Sequence, residues 1–176
     1  MNANEVRNAF LLAVAKVQYD RALTRRDNLP FLKRIFTRKP KNPAPGGETA
    51  RDLAKAYTRA ANDLFFGNAN GGSAKGDNGT YVNAEVGWQA VGSDDPFYPV
   101  VCFLYYDGSC FFRRRIGINP DGGTTVWGLD IPYDDCGVNQ LPQPSYMDEQ
   151  CRPLLEKFRN AIQGMQEIVQ ESRSRL

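Results

Sequence analysis

The chain reads as a two-layer α+β domain, an antiparallel four-stranded meander packed on one face by N- and C-terminal helices. Three observations predict this. Residues 97–118 hold two runs of β-branched and aromatic residues flanking Asp107-Gly108, the strongest short hairpin signal. On either side of that hairpin, 80–91 and 124–131 alternate apolar and polar residues. Both ends of the chain carry apolar residues at helical spacing.

A helix over 3–26 follows from Val6, Phe10, Ala13, Val14 and Val17, with Glu5, Arg7, Lys16, Asp20 and Arg21 elsewhere. Ala13-Val14-Ala15 resembles a leader cleavage site, but Glu5 lies upstream and the helical pattern runs past Lys16, so a first amphipathic helix is preferred. Pro30 ends that pattern. Residues 27–47 form a basic segment and a Pro-rich connector, within which Leu29, Phe31, Leu32, Ile35 and Phe36 are expected to dock a short helical or irregular piece on the domain, charges outward. Pro40-x-x-Pro43 has Thr37, not a basic residue, where an SH3 ligand carries its charge, and reads as linker.

A second amphipathic helix is predicted over 48–66, with Ala50, Leu53, Ala54, Tyr57, Ala61, Leu64 and Phe65 on one side and Gly67 at its C-terminal cap. The Gly-, Asn- and Ser-rich 67–79 is expected to be a mobile loop, without the Lys-Ser/Thr pair of a phosphate loop. In 80–91, Val82, Ala84, Val86, Trp88 and Ala90 alternate with Tyr81, Asn83, Glu85 and Gln89, as in a half-buried strand. The strands of the sheet, 80–131, are separated by turns at 92–96 and 119–123, and 132–144 is an irregular crossing. A last helix is predicted over 145–173, opened by Ser145 with Asp148 and Glu149 in its first turn, burying Cys151, Leu154, Leu155, Phe158, Ile162, Met165 and Val169. All 176 residues make one domain.

Composition excludes several functions. An apolar fraction of 41% and a charged fraction of 24% are those of an ordinary globular chain. No apolar run approaches the roughly 20 residues that span a bilayer. With no histidine, Ser-His-Asp and Cys-His catalysis and His-ligated metals are removed. Cys102, Cys110, Cys136 and Cys151 lack Cys-x-x-Cys spacing, so buried free thiols and a cytoplasmic setting are expected. No cofactor and no metal are expected.

Charge is uneven. The formal net charge is +2, yet residues 21–41 carry eight basic residues against Asp27, leaving −5 on the rest. Within this stretch Arg25, Arg26, Lys33, Arg34, Arg38, Lys39 and Lys41 are candidate contacts for an acidic protein, a nucleic acid or anionic lipid, and an exposed Phe31 or Phe36 would stack on bases. Alternation sends Arg113 and Arg115 to one face of the sheet and Arg114 to the other. On an open face, Arg113 and Arg115 with Tyr81 and Tyr105 would form a basic, aromatic platform; turned inward, the arginines need carboxylate partners. The hairpin register decides between the two: a two-residue turn sets Cys102 opposite Arg113, and a three-residue loop reverses the faces of the second arm.

Asp130, Asp134 and Asp135, and separately Asp94 and Asp95, are the carboxylate clusters that divalent-metal chemistry would require. The run from Asn119 and Asp121 to Asp130 departs from a calcium loop at Gly123 and Thr124, and turn formation accounts for these acids. The first expectation is therefore a non-enzymatic cytoplasmic protein of inhibitor, immunity or adaptor type, working by protein–protein contact through the open sheet face and adjoining loops. The second is a nucleic-acid-binding domain using 21–41 and Arg113–Arg115. The third is a histidine-free carboxylate enzyme. No oligomeric state is predicted.

Overall fold

A computed structural model describes residues 2–77, 79–90, 97–107, 111–127 and 148–173. Helix α1 (Ala3–Asp27) opens with a capping box, in which the Asn2 side chain accepts from the Glu5 N–H at 3.0 Å and the Glu5 carboxylate accepts from the Asn2 N–H at 2.8 Å. A short α2 (Phe31–Phe36) follows Pro30, and α3 (Ala50–Phe66) follows a second capping box between Thr49 and Asp52. Gly67 closes α3 at φ +74°, donating its N–H to the Asp63 carbonyl at 3.0 Å.

Among the described residues five strands come next: β1 (Gly72–Lys75), β2 (Tyr81–Ala90), β3 (Phe97–Tyr106), β4 (Phe111–Ile118) and β5 (Thr124–Trp127). They pair antiparallel in chain order, and helix α4 (Arg152–Arg173) completes the fold. The two-layer α+β arrangement is as expected, with one strand more. That strand, β1, lies in the stretch read as a mobile loop. Its Gly-Ser-Ala-Lys sequence has no β-propensity; backbone pairing with β2 holds it, from Gly72 opposite Ala84 to Lys75 opposite Tyr81. Small size is what admits it. A Cβ on Gly72 would meet Leu154 Cδ1 at 2.5 Å, and one on Gly71, whose φ is +87°, would meet the Ala84 carbonyl at 2.6 Å.

Helices α3 and α4 cover one face of the sheet, α3 on β2 and α4 across β1 to β4, while α1 packs on α3 and against α4. The sheet lines this core with Val82, Ala84 and Val86 from β2, Val101, Phe103 and Tyr105 from β3, and Ile116 and Ile118 from β4. The Phe103 ring lies 5.1 Å from that of Phe158 on α4. Tyr57 joins the three long helices: its ring is 5.6 Å from Phe10, and its hydroxyl is 3.8 Å from the Met165 sulfur. Complete burial pushes the Tyr57 hydroxyl far above the usual phenol range.

Two further expectations are corrected. Residues 148–151 form a turn ahead of α4 instead of its first helical residues, with the Cys151 N–H bonding the Asp148 carbonyl at 2.8 Å, and Pro153 fits the first turn of the helix that follows. The second is the docking expected of residues 29–36. Helix α2 buries none of its residues: Phe31, Leu32, Ile35 and Phe36 are 67, 69, 57 and 87% exposed.

Candidate functional site

The hairpin pairs Tyr106 with Phe111, leaving four residues between its arms. Relative to a two-residue turn the second arm slides by two positions, so side chains keep their faces while the partner of Cys102 becomes Arg115. Arg114 consequently points to the helix side beside Phe103 and is 1% exposed. Arg113 and Arg115 lie on the opposite face, on which no described helix packs.

That face is a set of cross-strand rows. Ser73, Asn83, Leu104 and Arg113 form one; Lys75, Tyr81 and Tyr106 form the next; Glu85, Cys102 and Arg115 form a third. Arg115 Nη2 donates to Gln89 Oε1 at 2.7 Å. Exposure is graded across it. Val100 and Gly117 are buried, whereas Ser73, Lys75, Glu85, Tyr106 and Arg113 are exposed, so the accessible half adjoins the hairpin turn. Tyr105 is not part of this platform: it is 5% exposed on the helix side, its hydroxyl donating to Asp107 Oδ2 at 3.2 Å. Tyr106, the next residue, takes the position expected of it.

Cys102 and Cys151 are free thiols. Burial, then the Glu85 carboxylate, push the Cys102 thiol up despite Arg115 and Arg113; burial and Asp148 do the same at Cys151. Both are held in the unreactive protonated form.

The second surface is α2. At 100° per residue its four apolar side chains cover an arc of about 140°, with Arg34 and Lys33 each about 60° beyond the two borders. Helix α2 is fastened at its C-terminal end. Arg26 of α1 donates through Nε to the Thr37 carbonyl at 3.1 Å and through Nη2 to the Arg34 carbonyl at 3.5 Å, which turns the apolar arc outward. Arg25, Lys33, Arg38, Lys39 and Lys41 are exposed, and Arg26 and Arg34 half-buried. Among the described residues only Arg26 of this group forms an ion pair, with Asp27 at 3.1 Å. A cleft of about 480 Å³ beside it is lined by Arg21, Arg25, Arg26, Gln18, Leu29 and Thr37. Sequence reasoning placed the cations but read the apolar residues as docked. The available signal was a six-residue helix following Pro30, with basic residues at both borders of its apolar arc.

A third feature is a groove of about 880 Å³ between α3 and β2, bordered by Lys55, Arg59, Glu85 and Trp88. Its floor holds a residue the sequence did not single out, Asn62. This buried amide accepts from the Val86 N–H at 2.6 Å and donates to the Val86 carbonyl at 3.1 Å, pairing the edge of β2 beyond the reach of β1. Among the described residues no three His, Cys, Asp or Glu side chains come together as a metal site. Asp121 and Asn119 build their turn, Asp121 Oδ1 accepting from the Gly123 N–H at 2.8 Å and Asn119 Oδ1 from the Thr125 hydroxyl at 3.0 Å. Asp94, Asp95, Asp130, Asp134 and Asp135, with Cys110 and Cys136, lie outside the described residues. No described helix is long and apolar enough to cross a membrane.

No family model, curated protein or solved structure matches this chain.

Proposed function

We propose that the chain is a non-enzymatic, cytoplasmic binding protein acting by protein–protein contact through the accessible half of its sheet face. One observation supports this reading above the others: the hairpin register sets Arg113 and Arg115 on the same face as Tyr81, Leu104 and Tyr106, away from the helices. Arginine and tyrosine are the favoured anchors of protein interfaces, and a rigid sheet presents them without a backbone ordering cost. Arg113 is the principal anchor, since Arg115 is engaged by Gln89.

A second reading, nucleic-acid binding, is favoured by the charge of the same face, where Lys75, Arg113 and Arg115 outnumber Glu85 beside Tyr81. Affinity capture from lysate of the source cells, with and without nuclease, separates the two. The protein reading expects a stoichiometric partner that survives nuclease and falls at least about tenfold with Arg113→Glu. A complex that vanishes with nuclease, or weakens steeply with salt while retaining oligonucleotide, supports the second reading and overturns the first. Capture of no stoichiometric protein also overturns the first.

A further inference from the structure

We infer that α2 is a docking element for the surface of an anionic phospholipid bilayer, independent of the sheet face. Four bulky apolar side chains stand in solvent on six residues, at 57 to 87% exposure. Such a patch costs hydration free energy unless something covers it. The helix is held to α1 by Arg26 through carbonyls at its C-terminal end, and the apolar arc is what it offers outward.

Charge identifies the occupant. Lys33 and Arg34 border the arc, Arg38, Lys39 and Lys41 follow it, and Arg21 and Arg25 precede it. The single acid of the stretch, Asp27, is engaged by Arg26. An apolar ridge with cations on every side matches a layer whose surface is phosphate and whose interior is hydrocarbon. The Arg21–Arg25–Arg26 cleft adds a recess for a headgroup phosphate at the base of the ridge.

Shape favours the bilayer over an acidic protein. None of Phe31, Leu32, Ile35 and Phe36 lines the neighbouring cleft. Four side chains on a projecting turn fall well short of the roughly 800 Å² that each partner buries in a stable protein interface. A bilayer imposes no such requirement: insertion of the ridge and attraction of the cations add, each basic residue near the surface contributing about fivefold to partitioning.

Co-sedimentation of the full chain with phosphatidylcholine vesicles containing about 30% phosphatidylserine, against phosphatidylcholine alone, tests the inference. The chain is expected to sediment with the anionic vesicles only, and to be released as salt rises from about 0.1 to about 0.5 M. Phe31→Ser with Phe36→Ser lowers partitioning at least about tenfold, and Arg38→Glu with Lys39→Glu lowers it further, through four units of charge. Because α2 buries no side chain and Arg38 and Lys39 are exposed, both variants keep the wild-type thermal midpoint. Absence of sedimentation overturns the inference, as does sedimentation indifferent to the two phenylalanines, which is adsorption by charge alone. Two further results overturn it when vesicles are not bound: retention of a mixed oligonucleotide that depends on Phe31 and Phe36, and a dimer in sedimentation velocity that the same substitutions dissolve.

Discussion

Helices α2 and α4 are both amphipathic, and they end in opposite environments. Over 22 residues α4 sends Leu154, Leu155, Phe158, Ile162, Met165 and Val169 into the core between sheet and helices, and each is buried. Helix α2 is denser in bulky apolar residues, four in six against seven in 22, and buries none. Periodicity reports that one side of a helix is apolar; it does not report what lies against that side. For α4 the answer follows from length, since a stripe of this extent crosses several strands at once. For α2 it follows from two backbone carbonyls, those of Arg34 and Thr37, to which Arg26 binds.

The sharpest way to break this comparison is the same substitution in both helices. Phe158→Ala removes a side chain that is 0% exposed and packed on Phe103, and is expected to cost about 3–5 kcal/mol in urea unfolding. Phe36→Ala removes one that is 87% exposed and should stay within about 0.5 kcal/mol of wild type. A cost above about 1.5 kcal/mol for Phe36→Ala would mean that the ridge is covered within the chain and would remove the contrast.

Next in size is Asn62→Ala. It leaves the buried N–H and C=O of Val86 without the amide that pairs them, and about 2–3 kcal/mol is expected from denaturant unfolding. Asn62→Leu should cost no less, because shape is not what the site uses. Asn62 also marks where sequence reading ended. Lying among Ala60, Ala61 and Phe66, it looks like a polar interruption of an apolar stripe; only the stopping point of β1 at Gly72, opposite Ala84, explains why an amide is needed two residues along β2.

The rest of the fold divides similarly. Strand β2 and helices α1, α3 and α4 were legible because each satisfies its period over eight residues or more, β3 and β4 because β-branched and aromatic runs flank Asp107-Gly108, and Gly67 because a left-handed cap favours glycine. Strand β1 was not, since backbone pairing leaves no pattern in a Gly-Ser-Ala-Lys sequence. The hairpin stood between these cases. Asp107-Gly108 announced a turn without fixing its length, and the register satisfies burial of Phe103, Tyr105, Ile116 and Ile118 together. A one-residue slip would reverse the faces of Arg113 and Arg115. The platform was thus half legible: its arginines and Tyr81 lie together, and Tyr106 stands where Tyr105 was expected.

A smaller effect separates α3 from α2 at their beginnings. The Asp52 carboxylate is hydrogen-bonded to Thr49, accepting from its hydroxyl at 2.6 Å and its N–H at 3.1 Å, which holds its pKa below the usual carboxylate value. Pro30 gives α2 no side-chain cap. A depressed pKa means that the contribution is present above the unfolded value and lost as pH falls through the folded one. The stability difference between wild type and Asp52→Asn, followed by thermal midpoint, should therefore be constant near neutrality and shrink on acidification below the ordinary carboxylate range. Thr49→Ala should cost about 1 kcal/mol near neutral pH. A difference that grows on acidification would contradict the capping box.

The smallest global effect, and the one that bears most on α2, is expected from Arg26→Lys. Lysine keeps the charge but lacks the planar fork that reaches the Thr37 and Arg34 carbonyls together. Unfolding free energy should change by less than about 0.5 kcal/mol, because these bonds hold a helix that buries nothing. Amide exchange is the discriminating measurement. The Arg34 N–H bonds the Pro30 carbonyl at 2.9 Å and the Thr37 N–H bonds the Arg34 carbonyl at 3.3 Å, and both should exchange faster in the variant while core amides of β2 and β3 keep their protection. Unchanged exchange at Arg34 and Thr37 would show that α2 holds itself against α1 without the fork. The outward orientation of Phe31 and Phe36 would then rest on the Asn28-Leu29-Pro30 turn, whose Leu29 N–H bonds the Arg26 carbonyl at 3.1 Å.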